Sequence, residues 1–597
     1  MIKTVLSDGT PTFSITVQGN AIPSTVQVVS MRVAAKVNSI STASIVLLDG
    51  GMAGGQFALS DSALFLPGNS IRIEAGYNGD NKLLFEGIIT GQSITIDSAK
   101  GLLLTLACSD VAVKMTVGNK CRSFPETKDS DIIASIIAGY SGMAANTTAT
   151  AMQWPRQVQY NITDWDFIQS LAAANGMLVT ALNGTVNVFN ATANTAPVVQ
   201  LTYGADIISL QLTLDTLTQL SNVKAGAWDY KSQQLLAASA VNGFAGAGNL
   251  SPNTLSAVVG LPEFDLPATA APEAVYLDGL SKATMLASEL AKITGTVVCQ
   301  GTSAPAPGKF ITLNGVGDRF AGDHFVAGVV HTIAAGNWTT EMALGLPVAA
   351  GAPVQDGLAP AKPGAIQQVN GLLNGIVKKI AADPEAQYRI LVEVPVLDNS
   401  GKGIWARLSN FYASNGAGAF FMPEIGDEVV LGFLNGDARY PLVLGSVYSS
   451  ASHPPFKGLV PGDENQLKAI VSRSGIALQF DDENKVLTLF TPAGNAVALN
   501  EEDKAVSLQD QNGNSIVMNT SGIRMKSSKD INIEAANAIT LKAQQGVAIE
   551  SSGGDITVKG VNIKESAGAT YTMEAGQSAH ISSAAQLALN SGIIMIN

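Results

Sequence analysis

The chain has 597 residues, of which 14% are charged and 6% aromatic, with 59 glycines, 24 prolines and a formal net charge of −13. That length is too great for one core and fits about three to five domains. The composition is that of a turn-rich β protein rather than a helical enzyme or a disordered chain, and the acidic balance argues against nucleic acid as a partner.

No uninterrupted apolar run is long enough for a membrane-spanning helix. The start, Met1-Ile2-Lys3-Thr4-Val5-Leu6, lacks the apolar core of a signal peptide. Synthesis in the cytoplasm is expected, with any export by a route other than general secretion. Cys108, Cys121 and Cys299 have neither zinc-site nor disulfide spacing and read as buried or incidental thiols.

Residues 12–115 alternate strongly: Phe13, Ile15 and Val17, then Ser44-Ile45-Val46-Leu47, Ile71-Arg72-Ile73 and Leu102-Leu103-Leu104-Thr105-Leu106. Turn signals at Asp49-Gly50 and Asn78-Gly79 separate them, which predicts a closed or nearly closed antiparallel barrel. Two short helices follow, over 129–140 and 163–175. The second has Thr163 as N-cap and Asp166 as the acid of a capping box. Strands resume from 177. Residues 230–275, rich in Ala, Gly, Ser and Pro, read as a long loop or insertion, 277–293 as the longest helix, and 310–350 as strands again.

The stretch 351–364 is the clearest linker. The segment 371–450 is strand-rich and of a size that fits a small barrel, the OB-fold being the commonest solution. Between 451 and 520 apolar pairs such as Leu487/Leu489, Val497/Leu499 and Val506/Leu508 recur every nine or ten residues, read as loose first rungs of a fibre.

From Ile523 the spacing tightens to eight. The pairs are Ile523/Met525, Ile531/Ile533, Ile539/Leu541 and Val547/Ile549; Ile556/Val558 slips by one, and Leu587/Leu589 closes the series. Each pair is a short strand with one apolar face, and a turn every eight residues marks a β-helix or fibre. Two apolar side chains per repeat are too few to fill a core within one chain. Three chains around one axis would fill it and remove the exposed strand edges. A homotrimeric, intertwined triple-stranded β-helix is the expectation.

Within 371–450 stand Asp383-Pro384, Arg389, Trp405-Ala406-Arg407, Phe421, Pro423-Glu424, Gly426-Asp427-Glu428-Val429, Gly436-Asp437, Pro441 and Leu444-Gly445-Ser446. These resemble the barrel of the VgrG / phage baseplate spike family, with Trp405, Arg407, Pro423, Gly426, Asp427, Gly436, Asp437 and Gly445 as its motif. Trp165-Asp166-Phe167, Asn175-Gly176 and Gly315-Val316-Gly317 resemble the family's hub. The resemblance implies a mainly β, multidomain protein: a hub of tube-like β-barrels with short helices (1–350), a linker (351–370), an OB-fold barrel (371–450), a transition (451–520) and the needle (521–597).

It further implies a spike of a contractile injection system, in a type VI machine or a released extracellular particle. Its partners would be two further copies of itself, an inner-tube hexamer, baseplate proteins, effector cargo and, transiently, the target membrane. The apolar end Ile593, Ile594, Met595, Ile596 and Asn597 would dock a separate PAAR-type tip protein. No enzyme, cofactor or metal is expected. His324, His331, His453 and His580 lie in no catalytic motif, and Asp481-Asp482-Glu483 reads as a solvated turn. Glu424, Asp427 and Glu428 fit a turn better than a glycosidase pair. Trp405, Phe420 and Phe421 read as core and trimer contacts. The competing classes are a tail fibre or adhesin and a tail-associated cell-wall hydrolase.

Overall fold

The computed structural model describes residues 9–50, 56–97, 101–268, 273–347, 368–397, 401–455 and 462–596. The expected linker 351–364 and the terminal Asn597 lie outside them. The chain divides into two compact units, Met1–Pro454 and Pro455–Asn597.

In the first unit, alternating strands assemble into a thirteen-stranded sheet. Its main path runs from Ile207–Leu214 through Ile293–Gln300, Asn337–Leu344, Gly322–Ala334, Val28–Lys36, Thr42–Leu48, Gly101–Ser109, Asp80–Asp97 and Ser70–Tyr77 to Pro11–Val17 and Asn20–Ala21. Every second side chain of the N-terminal strands turns inward, so Ile15, Val17, Met31, Ile45, Ile73, Phe85 and Leu104 share one core. Val199, Val297, Ile311, Val326, Met342 and Leu344 form another. The structure joins these two cores through one sheet, because Val28–Lys36 pairs antiparallel with Gly322–Ala334, placing Ala34 opposite Val330. That pairing satisfies backbone groups that two separate sheets would each leave on an edge.

The helices follow their local signals. α1 is Asp129–Ala138 and α2 is Asp164–Ala174. The Thr163 hydroxyl accepts from the Asp166 amide at 3.1 Å and donates to the Asp166 carboxylate at 2.6 Å, closing the cap.

Residues 230–275 are more ordered than their composition suggested. Gln234–Val241 pairs with Asn222–Asp229, and Phe264–Pro267 adds in parallel. Between them lies α3 (Pro252–Val259), with Ser251 as N-cap, Pro252 at its start and a left-handed Gly260 after its end. Those start and stop signals were readable. The strands were not, because apart from Val223 their fully buried side chains are Ala225, Ala227 and Ala240, which carry little hydropathy. They bury against Tyr276, Leu277, Leu280 and Met285 of α4 (Ala274–Leu290).

Five strands close a small barrel: Leu373–Lys379, Ile390–Glu393, Ile404–Leu408, Pro441–Ser446 and Glu428–Phe433. Val377, Ile390, Val392, Ala406, Val429, Leu431 and Val443 fill it. The protein is thus mainly β and multidomain.

The second unit opens with seven strands, Leu467–Val471, Ala477–Asp481, Val486–Phe490, Ala496–Asn500, Ala505–Gln509, Ser515–Asn519 and Gly522–Lys526, each paired antiparallel with the next. The loose-rung reading of 451–520 is therefore corrected to an in-chain meander. Five-residue strands at this spacing leave room for a reversing turn, and between the last two Thr520-Ser521 alone suffice. Two turn types alternate. Gly475, Gly494 and Gly513 take φ of 83°, 97° and 88° at one edge, while Lys485 and Lys504 take 51° and 48° at the other. Beyond Lys526 no described residue joins a strand. Bends recur instead at 528–529, 536–537, 544–545, 552–554, 561, 568–569, 576–577, 584–585 and 592. The eight-residue period of the sequence is thus a period of the backbone.

Candidate functional site

The register of the meander sorts its apolar pairs into two rows. Leu478 faces Leu489, Leu489 faces Val497, Val497 faces Leu508, Leu508 faces Ile516 and Ile516 faces Met525. The second row runs Phe480, Leu487, Leu499, Val506, Met518 and Ile523 through the same pairings. Directly opposed residues share a face of the sheet, so both rows lie on one side. An open groove of about 720 Å³ runs along the first row and continues to Ile531. Of these side chains Leu489, Leu499, Leu508, Met518, Ile523 and Met525 are exposed. An apolar face of this extent marks an interaction surface.

The structure places Ile523 and Met525 on the last strand of the meander, not in the octads. Ile531, Ile533, Ile539, Leu541, Val547, Ile549, Ile556, Val558, Leu587 and Leu589 all follow it on the bent, unpaired backbone, and each is exposed by more than half. At the end, Ile593, Ile594, Met595 and Ile596 are exposed as well, Met595 and Ile596 by 87%.

The barrel-motif residues are spread over several of its strands and turns, and Asp437 among them is buried. Gly426 takes φ of 98°, and the Asp427 carboxylate accepts from the Glu424 amide at 2.8 Å, which makes this acidic trio a turn. Gly436 takes φ of 74°. Gly445 faces Val430 at a register shift between Val430 and Leu431. Pro423 and Trp405 are half-buried, and Phe420 and Phe421 are exposed, so the last two are not core residues. Arg407 and Asp437 make the polar contacts taken up below.

Elsewhere the titratable groups are structural. The His331 imidazole is buried, 3.0 Å from the Thr340 hydroxyl and against the Trp338 ring, and burial lowers its pKa to about 4. His324 is likewise held down by burial. Burial pushes the Cys108 and Cys299 thiols up to about 12. The Asp481 carboxylate accepts from the Asn484 backbone and side-chain amides, which lower its pKa, at the turn expected there. Among the described residues no helix is long and apolar enough to cross a membrane, and no group of three or more His, Cys, Asp or Glu could hold a metal ion.

Residues 7–335, more than half of the chain, match the family described as the Alg8 N-terminal domain. Residues 373–448 match the Type VI secretion system/phage-baseplate injector OB domain. Among curated relatives, the type VI secretion system spike protein VgrG1a of Pseudomonas aeruginosa is 29% identical over 83 residues, covering 14% of this chain and 13% of that protein. The actin cross-linking toxin VgrG1 of Vibrio cholerae is 36% identical over 58 residues, covering 10% of this chain and 5% of that protein. The chain thus spans a small fraction of the curated relatives it matches. A solved structure titled as the Francisella PdpA-VgrG complex superposes with a TM-score of 0.52 at 11% identity, covering 88% of this chain and 81% of that one, and shares the fold. The chain belongs to the Alg8 N-terminal domain family, and its barrel segment is similar to the injector OB domain of type VI secretion and phage-baseplate proteins, the VgrG spike proteins among them.

Proposed function

We propose that the protein is the homotrimeric spike and hub of a contractile injection system. Residues 1–350 act as the hub that meets an inner-tube hexamer and baseplate proteins, 371–450 as a collar, and the C-terminal unit as a needle. The observation that carries this reading is the pair of apolar rows, unpartnered along one face of the meander and followed by some seventy residues of exposed octad pairs. A single chain leaves these side chains in water. Two further copies would bury them at roughly 1.5–3 kcal/mol each and supply the missing strand partners.

The mechanism is mechanical. A rigid intertwined needle carries force from sheath contraction to a narrow end and crosses the target envelope, touching its membrane only in passage. Ile593 to Ile596, with Asn597, form an apolar platform for a PAAR-type tip protein, and effector cargo travels with the assembly. The role is structural, not enzymatic, in a cytoplasmically made particle component. Mass by light scattering together with negative-stain imaging tests this reading: a trimer with a thin projection is expected, and a monomer without one would overturn it. Zymography on cell wall separates the hydrolase alternative, which predicts a cleared zone.

A further inference from the structure

Asp437 and Arg439 sit in the turn before the last barrel strand, yet the arginine side chain leaves the barrel. Its guanidinium carbon lies 4.2 Å from the centroid of the Trp154 ring and 5.7 Å from that of Tyr276. Trp154 belongs to the strand Gln153–Ile162 and Tyr276 to α4, both in the N-terminal part of the unit. The two rings meet edge to face at 5.1 Å. Arg439 is 4% exposed and Asp437 3%, and they are joined by a fork of hydrogen bonds, Nε to Oδ1 at 3.0 Å and Nη2 to Oδ2 at 2.7 Å. A lone guanidinium at such depth would be costly. Here its counter-charge enters with it, and the planar cation stacks on aromatic faces as an ammonium would not. The carboxylate of Asp129, at the start of α1, lies beyond, held by the Gln157 and Asn175 side-chain amides at 2.8 Å each.

Three more contacts join the same parts. The Arg407 guanidinium lies 4.4 Å from the ring of Tyr230, at the tip of the hairpin formed by Asn222–Asp229 and Gln234–Val241, and the adjacent Lys231 pairs with Glu385 at 2.5 Å. Val158, on the same strand as Trp154, packs into the barrel's own core, and the space it shares with Val394, Leu397 and Ile404 is only about 10 Å³.

We propose that these four contacts form one cooperative joint that locks the barrel on the hub in a single orientation, with Arg439 as its bolt and positioning residue. The joint stands on these contacts alone; that it carries load during injection rests on the spike reading. A tethered barrel would need none of them, since a linker suffices to keep it nearby. The buried Asp437–Arg439 pair, by contrast, stacks on both rings in one geometry only, and a rotation that withdraws it would uncover Trp154 and Tyr276 and take the cation away from Asp129.

Hydrogen exchange of the full chain, read by mass spectrometry, tests this. In Arg439→Met, exchange should quicken at least tenfold in 153–160, in 274–285 and in the Tyr230 hairpin, while the barrel strands Ile390–Glu393 and Glu428–Phe433 keep their protection. Unchanged exchange at the hub face, or opening of the barrel strands themselves, would overturn the joint. Should Arg439→Met fail to fold, Tyr230→Leu decides. It should quicken exchange at 153–160, on a different strand, as a merely local contact would not, and no change there overturns the proposal. A chain that scatters as a monomer yet shows this pattern keeps the joint and loses the trimer.

Discussion

Val497 stands directly opposite Leu508, and the two extend a row that begins at Leu478 and ends at Met525. Leu508 is 41% exposed. If the proposed trimer forms through this face, Leu508→Asp should leave the monomer's meander paired but place a carboxylate from each copy where the copies would meet. Unpaired buried charge is strongly unfavourable. Trimer should be lost from the light-scattering profile with the far-ultraviolet circular dichroism retained, and the same is expected of Ile539→Asp in the octads. A normal trimer yield for both would remove this face as the interface.

The octads carry phase as well as composition. Deleting one whole repeat, 538–545, removes Ile539 and Leu541 with one bend and keeps every later pair in step. The trimer should survive with a shorter projection under negative stain. Deleting only 538–541 puts the pairs beyond it half a repeat out of register, and assembly should fail. Equal behaviour of the two deletions would mean that period does not matter.

The cap of α2 is a local device with a predictable worth. Thr163→Ala removes the hydroxyl that accepts from the Asp166 amide. The expected loss is about 1 kcal/mol, read as a lowered urea midpoint for the hub. Thr163→Asn, which keeps a capping oxygen, should recover most of it.

His331 should make the N-terminal part of the chain acid-sensitive. Its folded pKa, about 4, lies below the ordinary imidazole value because burial disfavours the cation. The unfolded chain thus binds the extra proton first, so stability is full above neutral pH and falls as pH drops through about 6.5 towards 4. The loss should reach roughly 2 kcal/mol at pH 5. In His331→Gln this part of the pH dependence should vanish, whatever the change in stability at neutral pH. A parallel profile for the two proteins would assign the acid sensitivity elsewhere.

Gly513 turns the chain with φ of 88° and has open space around its α-carbon. Gly513→Ala meets no clash there, only the backbone strain of a left-handed L-residue, costing about 1–2 kcal/mol. Thermal unfolding of the meander should shift down accordingly.

Much of this molecule was legible in adjacent residues. Eight-residue pairs dictated a bend every eight residues, Thr163 and Asp166 dictated a cap, and Gly426-Asp427 dictated a turn, because each depends on backbone geometry within a few positions. The size and strand content of 371–450 pointed to a small barrel, which the structure closes with five strands. What the sequence left open depends on distant partners. Residues 477–526 could have been needle rungs or a meander, since apolar pairs suit both, and only the backbone pairing chose reversal at each turn. The hairpin at 222–241 hid behind alanines whose burial comes from α4. The pairing of Val28–Lys36 with Gly322–Ala334 joins strands some three hundred residues apart, where no local pattern can specify a partner. Arg439 shows the same divide. By itself it is one more charged residue in a turn, and only the approach of Trp154 and Tyr276 makes it a bolt.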